Sequence, residues 1–119
     1  MRVLVLIALG ACITPSIPIP PPDPGQMDFD VQMGSDGGST ATFTYPPDHN
    51  YAGGTAYIFN EANNGGVFHL VNPDNSIGPL TLPAKLGDQV VVTIEGGEQT
   101  VSRCVVLRQG AQDPNTYCQ

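Results

Sequence analysis

Residues 55–71 read TAYIFNEANNGGVFHLV, which is two β-strand patterns separated by a tight turn. Aromatic and β-branched residues fill both runs, and the NNGG sequence at 63–66 supplies residue types that tolerate a positive φ. The stretch therefore predicts a β-hairpin with strands at Thr55–Glu61 and Val67–Val71. Because Thr55–Glu61 is apolar on both faces at its centre, we expect it to lie in the middle of a sheet.

The same period-two alternation continues on both sides of this hairpin. It predicts five further strands, at Met27–Met33, Thr40–Tyr45, Ile77–Leu82, Gln89–Glu95 and Thr100–Leu107. Pro79 interrupts the third of these, which favours a position at a sheet edge. Seven strands at spacings near ten residues, with no apolar repeat at helical spacing, predict one small all-β domain that folds as a two-sheet sandwich.

Five short motifs follow one another along the run from Ala56 to Leu107. They are Ile58-Phe59-Asn60, Asn64-Gly65, Pro73-Asp74-Asn75, Ala84-Lys85-Leu86-Gly87-Asp88 and Val90-Val91-Val92. In this order they resemble the second half of bacterial Ig-like or carboxypeptidase-regulatory-like (prealbumin-like) sandwich domains, over about fifty residues. The chain departs from antibody-type domains because it has no Trp and no cysteine pair placed to link two sheets. The resemblance implies a binding or spacer module that usually lacks catalytic activity.

The first twelve residues have the layout of an export signal. Met1-Arg2 is followed by the apolar run Val3–Leu9, then by two small residues and Cys12. The run is far shorter than the roughly 20 residues that span a bilayer as a helix. The LGAC sequence at 9–12 resembles the lipobox of bacterial lipoproteins, in which the cysteine is acylated and becomes the first residue of the mature chain.

That resemblance implies a signal peptide at 1–11 and lipidation, as with palmitate, at Cys12, so that the membrane becomes a partner through the lipid anchor. In this family an aspartate after the cysteine often retains the protein at the inner membrane. Here Ile13 follows Cys12, which implies an outer-membrane protein whose domain faces the periplasm or the cell surface. The alternative is an ordinary secretory signal in which Cys12 is incidental.

A proline-rich segment follows the cysteine. Residues 13–26 hold six of the twelve prolines, and proline favours an extended chain that rises about 3.1 Å per residue. We therefore expect the acylated cysteine and a linker of up to about 40 Å at 12–26, with the sandwich domain at 27–119. A disordered linker without a spacing role, or a ligand for a proline-binding groove, are the alternatives.

Three cysteines are an odd number for an exported protein. If Cys12 carries lipid, Cys104 and Cys118 remain as a candidate disulfide in an oxidising compartment. The bridge would close a loop of about 15 residues and contribute about 3 kcal/mol. The alternative is two free thiols.

The charge balance argues against two classes of partner. Four basic residues stand against eleven acidic ones, for a formal net charge of -7. Nucleic-acid binding needs a basic stripe, so we expect no nucleic-acid partner. The same deficit of cations argues against electrostatic docking on anionic lipid.

Residues that carry metal or catalytic chemistry are few. The two histidines, His49 and His69, are too sparse for a zinc site, and no His or Met follows Cys104 closely, as blue-copper proteins require. Ser102 is the serine that we weighed for a Ser-His-Asp triad, but the chain has no G-x-S-x-G elbow. We therefore assign no catalytic residue, no metal ligand and no cofactor.

Acidic and aromatic residues leave two possibilities open. Oxygen ligands for calcium are present in the loops at Asp36, Asp48 and Asp74, although Asx turns use the same residues. Among the aromatic residues, Tyr51 stands in a loop between Pro47 and Gly53 and is the candidate for an exposed contact.

These observations together predict a lipid-anchored envelope lipoprotein that carries a non-catalytic Ig-like domain. We expect that domain to act as a structural, adhesion or binding module whose partner is an envelope protein or a glycan. An accessory lipoprotein of a secretion or envelope machine and a small secreted enzyme are the alternatives.

Overall fold

The computed structural model describes residues 18–115 and Cys118, so that Cys12 and the expected signal peptide lie outside the described residues. The described residues form the strands β1 (Asp28–Met33), β2 (Ser39–Tyr45), β3 (Thr55–Asn60), β4 (Gly65–Leu70), β5 (Ile77–Pro83), β6 (Gln89–Gly96), β7 (Gln99–Val106) and β8 (Gly110–Ala111). Two 3-10 turns, at Pro24–Gln26 and His49–Tyr51, complete the regular structure of this part. Within the same range, no helix has the length and apolar character needed to cross a bilayer.

The strands form two antiparallel sheets of four strands each. The first sheet has the order β5-β2-β1-β8 and the second has the order β4-β3-β6-β7. This arrangement has the immunoglobulin connectivity, in which β1, β2 and β5 share one sheet and β3, β6 and β7 share the other. The fourth strand, β4, lies beside β3. The predicted all-β sandwich is confirmed, and the seven predicted strands match β1 to β7 to within two residues at each end. The central position of β3 and the edge position of β5 are also confirmed.

The eighth strand was not predicted. Gly110 and Ala111 pair with Phe29 and Asp28 at the start of β1. Gln112 fixes this segment: its side chain is buried and donates to the carbonyl oxygens of Arg108 at 2.7 Å and Gly110 at 2.8 Å. Two residues are too few to show hydrophobic alternation, and side-chain hydrogen bonds hold this strand in place.

The core lies between the two sheets. Its largest fully buried apolar side chains are Tyr51, Phe29, Phe43, Met27, Ile58, Ile77, Leu82, Ile94, Val90, Val92 and Val105. At its centre the paired residues Phe29 and Phe43 have ring centroids 5.0 Å apart. The alternation predicted for β1 holds only in part, because Val31 is half-buried and Met33, the last paired residue before the turn, is exposed.

The end of the proline-rich segment packs on the sandwich. Ile19 is half-buried against the core, and its N–H donates to Gln99 Oε1 at 2.8 Å. The Tyr51 hydroxyl donates to the Pro20 carbonyl at 2.7 Å, and two prolines between 22 and 24 are buried. Residues 19–26 of the predicted linker are therefore bound to the domain by apolar contacts and by the hydroxyl groups of Tyr45 and Tyr51.

Charge differs between the two ends of the sandwich. The end where the N-terminal segment packs carries carboxylates in four separate segments, namely Asp23, Asp48, Asp74 and Glu98. Asp48 N–H donates to the Asn75 carbonyl at 3.0 Å, which joins two of these segments. The opposite end carries Lys85 and Arg108 together with Asp36, Glu61 and Asp88, and there Gly87 N–H donates to the Leu107 carbonyl at 2.9 Å. We call these the acidic end and the far end.

Candidate binding surface

The outer faces of the two sheets have opposite chemical character. The outer face of the first sheet is polar and presents Asp28, Asp30, Thr40, Thr42, Thr44 and Thr81. The outer face of the second sheet presents four large apolar side chains, which we call the aromatic strip: Tyr57 (37% exposed), Phe59 (41%), Phe68 (68%) and Leu70 (63%). Apolar side chains that gather on one exposed face mark interaction surfaces more often than scattered ones do.

The β3–β4 register builds the strip. Tyr57 stands directly opposite Phe68, and Leu70 stands opposite Thr55 on the same face. The Tyr57 and Phe68 rings lie side by side, with centroids 5.7 Å apart and planes at 32°. Since alternate residues of β3, such as Ile58, point into the core, the hairpin cannot turn these rings inward without exposing the core side chains.

Polar groups border the strip on its inner side. On β6, Thr93 stands opposite Tyr57, and its hydroxyl is 2.8 Å from that of Ser102 on β7. The Tyr57 hydroxyl lies 3.5 Å from Glu95 Oε1. From strand spacing and rise, the strip measures roughly 10 Å by 15 Å. It is thus a flat, uncharged platform with hydroxyl and carboxylate groups along one side.

Tyr51, the predicted exposed contact, is buried. It is 1% exposed, and its ring packs edge-on against Tyr45 at a centroid distance of 5.9 Å. Its hydroxyl group donates a hydrogen bond to the Pro20 carbonyl. Burial raises the pKa of Tyr51 well above its usual range, and the neighbouring Tyr45 and Asp48 add to the shift. The prediction is wrong because the proline-rich segment covers the loop that carries Tyr51, which the local sequence does not reveal.

The predicted disulfide is confirmed. Cys104 and Cys118 are bonded, with Cα atoms 5.9 Å apart and a sequence separation of 14. Cys104 lies on β7 opposite Val91, and the Arg103 side chain donates to the Pro114 carbonyl at 3.1 Å. The bridge and this hydrogen bond hold the C-terminal tail beside β7.

Comparisons with protein-family models, with curated proteins and with solved structures give no match to this chain. A sandwich fold by itself does not specify a function, since many unrelated functions share it. The aromatic strip and its surroundings therefore carry the functional argument.

The side chains that were weighed for hydrolytic chemistry are far apart. His69 is on β4 and Ser102 is on β7, which are opposite edges of the second sheet, about 14 Å apart by strand spacing. His69 Nδ1 is 3.0 Å from the Leu70 carbonyl oxygen, and the Ser102 hydroxyl group is hydrogen-bonded to the Thr93 hydroxyl group. His49 lies in the 3-10 turn at the acidic end. The fold does not bring a base next to a serine at these positions.

The acidic loops that were considered for calcium cap their own turns. Asp36 Oδ1 accepts from Gly38 N–H at 2.9 Å, Asp48 Oδ1 accepts from Asn50 N–H at 3.0 Å, and Asp74 Oδ1 accepts from Ser76 N–H at 2.9 Å. Across residues 18–115 and Cys118, no three His, Cys, Asp or Glu side chains are grouped so that they could hold a metal ion. These carboxylates therefore act as Asx-turn acceptors.

Two residues of these sequence motifs, Asn60 and Asp88, meet at the far end in a buried hydrogen-bond network. Asn60 Nδ2 donates to Asp88 Oδ2 at 2.8 Å and to the Pro83 carbonyl at 3.1 Å, and Lys85 N–H donates to Asp88 Oδ2 at 3.0 Å. Burial favours the neutral acid, but these hydrogen bonds and the Lys85 charge hold the pKa of Asp88 below its usual range. The network closes the ends of β3 and β5 onto β6, which is a structural role.

The sequence contains a signal for the strip. The apolar residues on both faces of Thr55–Glu61 predicted a central strand, but only one face of β3 packs on the core. The NNGG turn sets the β3–β4 register, and counting back from it places Phe68 opposite Tyr57. Within residues 18–115 and Cys118, no segment covers that pair, and this is visible only when both sheets are assembled.

Proposed function

We propose that this chain is an exported, lipid-anchored envelope protein whose sandwich is a non-catalytic binding module. The single observation that carries the binding role is the aromatic strip, which gathers four of the exposed large apolar side chains on one sheet face of an acidic domain. Leaving four large side chains in water is unfavourable unless a partner covers them.

The platform fits a neutral glycan better than a protein partner. A standard protein interface buries about 800 Å² on each partner, and a strip of roughly 10 Å by 15 Å supplies a small part of that. It matches two or three sugar rings, whose apolar faces can stack on Tyr57 and Phe68 while their hydroxyl groups reach Thr93, Ser102 and Glu95. Because the strip itself carries no charge and the chain is acidic, an uncharged polysaccharide is favoured over an anionic one.

The anchor part of the proposal is supported by the sequence. Cys12 follows an apolar run and two small residues in the lipobox order. An outer-membrane position, with the domain facing the periplasm or the cell surface, follows from Ile13 at the next position.

Affinity electrophoresis and pull-down assays test the binding role. The probes are soluble neutral β-glucan and galactomannan in native gels, and isolated peptidoglycan sacculi in a sedimentation assay. We expect retention by at least one probe and an affinity at least about fivefold lower in the double variant Tyr57→Ala, Phe68→Ala, because the stacked rings contribute about 1 kcal/mol or more.

Thr42→Ala, on the outer face of the first sheet, is the matched control and should bind like the unmodified protein. No retention by any probe would rule out the glycan partner. Equal retention by the double variant and the control would show that the strip is not the site.

Metabolic labelling with a palmitate analogue tests the anchor separately. The chain should be labelled and should fractionate with membranes, and Cys12→Ser should lose both properties. A Cys12→Ser variant that is still labelled would overturn the anchor and leave the binding role unaffected.

A further inference from the structure

Three of the four sheet edges carry features that prevent pairing with another strand. On β5, Pro79 and Pro83 remove backbone donors. The strand β8 is only two residues long. Along β7, the C-terminal tail is held in place by the Cys104–Cys118 disulfide and by the Arg103 hydrogen bond to Pro114. Short edges, prolines and covering segments are the usual protection against edge-to-edge association.

The fourth edge, β4, has none of these features. Its sequence GGVFHL contains no proline and no Lys, Arg, Asp or Glu. All six residues pair with β3 in a continuous register without a bulge. The edge is open to solvent, since Gly66, Phe68, His69 and Leu70 are exposed. A regular, apolar and uncharged edge presents a row of free N–H and C=O groups that an extended strand can pair with.

We infer that β4 pairs with β4 of a second copy of this chain, antiparallel across a two-fold axis, so that two four-stranded sheets join into one of eight strands. Such an interface is isologous and closed, which limits assembly to a dimer. The inference does not rest on the glycan or on the lipid anchor.

Segments of the same chain are poor occupants of this edge. The described N-terminal segment leaves the sandwich at Pro18, next to Ile19, whose N–H is bound to Gln99 at the start of β7. That point is three strand positions from β4. The preceding sequence contains Pro15 and Pro18 within four residues, and proline cannot supply the donors that a ladder needs. At the other terminus, the disulfide holds Cys118 beside β7.

Charge favours a second copy at this edge over other surfaces. A chain with a net charge of -7 repels its own copies. The β4 strand is six residues without a formal charge, so two copies meet here with the least repulsion.

The pleat allows only registers that place outer-face residues opposite outer-face residues. Phe68 then pairs with Gly66, Phe68 or Leu70 of the second copy, and the two aromatic strips become one continuous strip of about twice the length.

At most five residues of each β4 strand pair in these registers, which buries less than a standard interface, so we expect a weak dimer with a dissociation constant in the micromolar to millimolar range. Sedimentation velocity over a concentration series tests this with the full chain carrying Cys12→Ser, so that neither lipid nor a free thiol at residue 12 contributes. The test variant is Phe68→Lys, and the matched control is Phe59→Lys. Both change the net charge equally and lie on the same face, but Phe59 is on the inner strand β3.

The expected result is a monomer-to-dimer transition. Its dissociation constant should rise at least about tenfold in Phe68→Lys, because the two introduced charges then lie directly or diagonally opposite each other across the axis. It should change less than about threefold in Phe59→Lys. Hydrogen exchange on the unmodified chain should show concentration-dependent protection of alternate β4 amides. A monomer at all concentrations, equal effects of the two variants, or protection confined to another edge would each overturn the inference. Protection of β4 that appears only when an extended peptide of different sequence is added would assign this edge to another protein and equally overturn the second copy.

Discussion

Replacing Asn60 by alanine should destabilise the domain more than any other single polar substitution at the far end. Asn60 is fully buried, donates to Asp88 Oδ2 at 2.8 Å and to the Pro83 carbonyl at 3.1 Å, and accepts from Ala62 N–H at 2.9 Å. A hydrogen bond to a charged group contributes about 1.5–3 kcal/mol and a neutral one about 1 kcal/mol. The free energy of unfolding should therefore fall by about 3–5 kcal/mol.

Urea denaturation at pH 7 measures this change, and Asn63→Ala is the matched control. Asn63 also donates to the Pro83 carbonyl, at 3.1 Å, but it is exposed and has no hydrogen bond to Asp88 among those found in the structure. We expect the control to lose about 1 kcal/mol or less. A loss below about 1.5 kcal/mol for Asn60→Ala, or equal losses for the two variants, would refute the reasoning.

The same variant has a distinctive pH dependence. The pKa of Asp88 is lower in the folded state than in the unfolded chain. The stabilisation from its ionised form is therefore complete above the unfolded-state pKa of about 3.9 and is lost as the pH falls through the lower folded value. The penalty of Asn60→Ala should shrink between pH 7 and pH 2. A penalty that is constant or grows on acidification would contradict the assignment of the charged partner.

Two further outcomes are expected. In a Cys12→Ser background, Cys118→Ala should lower the free energy of unfolding by about 3 kcal/mol, because the bridge closes a loop with a sequence separation of 14. The melting temperature should fall by about 12–24 °C. A fall below about 4 °C would argue against a stabilising bridge. Tyr51→Phe should lose about 1 kcal/mol with the hydrogen bond to Pro20. Because burial raises the pKa of Tyr51 in the fold, the unmodified protein should lose stability as the pH rises above about 10. The variant should lose less, and identical alkaline profiles between pH 8 and pH 11 would contradict this.

The strands were predictable because each carries its own local signal. Alternation in TATFTY and in VVVTI predicts one buried face for β2 and β6, and the structure confirms it. Pro79 in β5 correctly indicated an edge, because a residue without an N–H cannot serve an inner strand. The disulfide was predictable by counting, since only two cysteines remain once Cys12 is set aside.

Features that depend on long-range packing were not predictable in the same way. Tyr51 was expected in solvent because it lies among loop residues, yet a segment some thirty residues earlier covers it. The strand β8 depends on the Gln112 side chain and has no pattern of its own. The aromatic strip became visible only in the structure, where the described residues leave the outer face of β3 exposed.

The docking of residues 19–26 changes how far the domain can stand from a bilayer. If the chain is anchored at Cys12, six residues, 13–18, separate the anchor from Ile19, which limits the reach to roughly 20 Å instead of the 40 Å of an undocked linker. The acidic end would then face the headgroups at short range, and an anionic surface would repel Asp23, Asp48, Asp74 and Glu98. A short reach combined with this repulsion would hold the sandwich upright, with the β4 edges of neighbouring copies at the same height above the membrane.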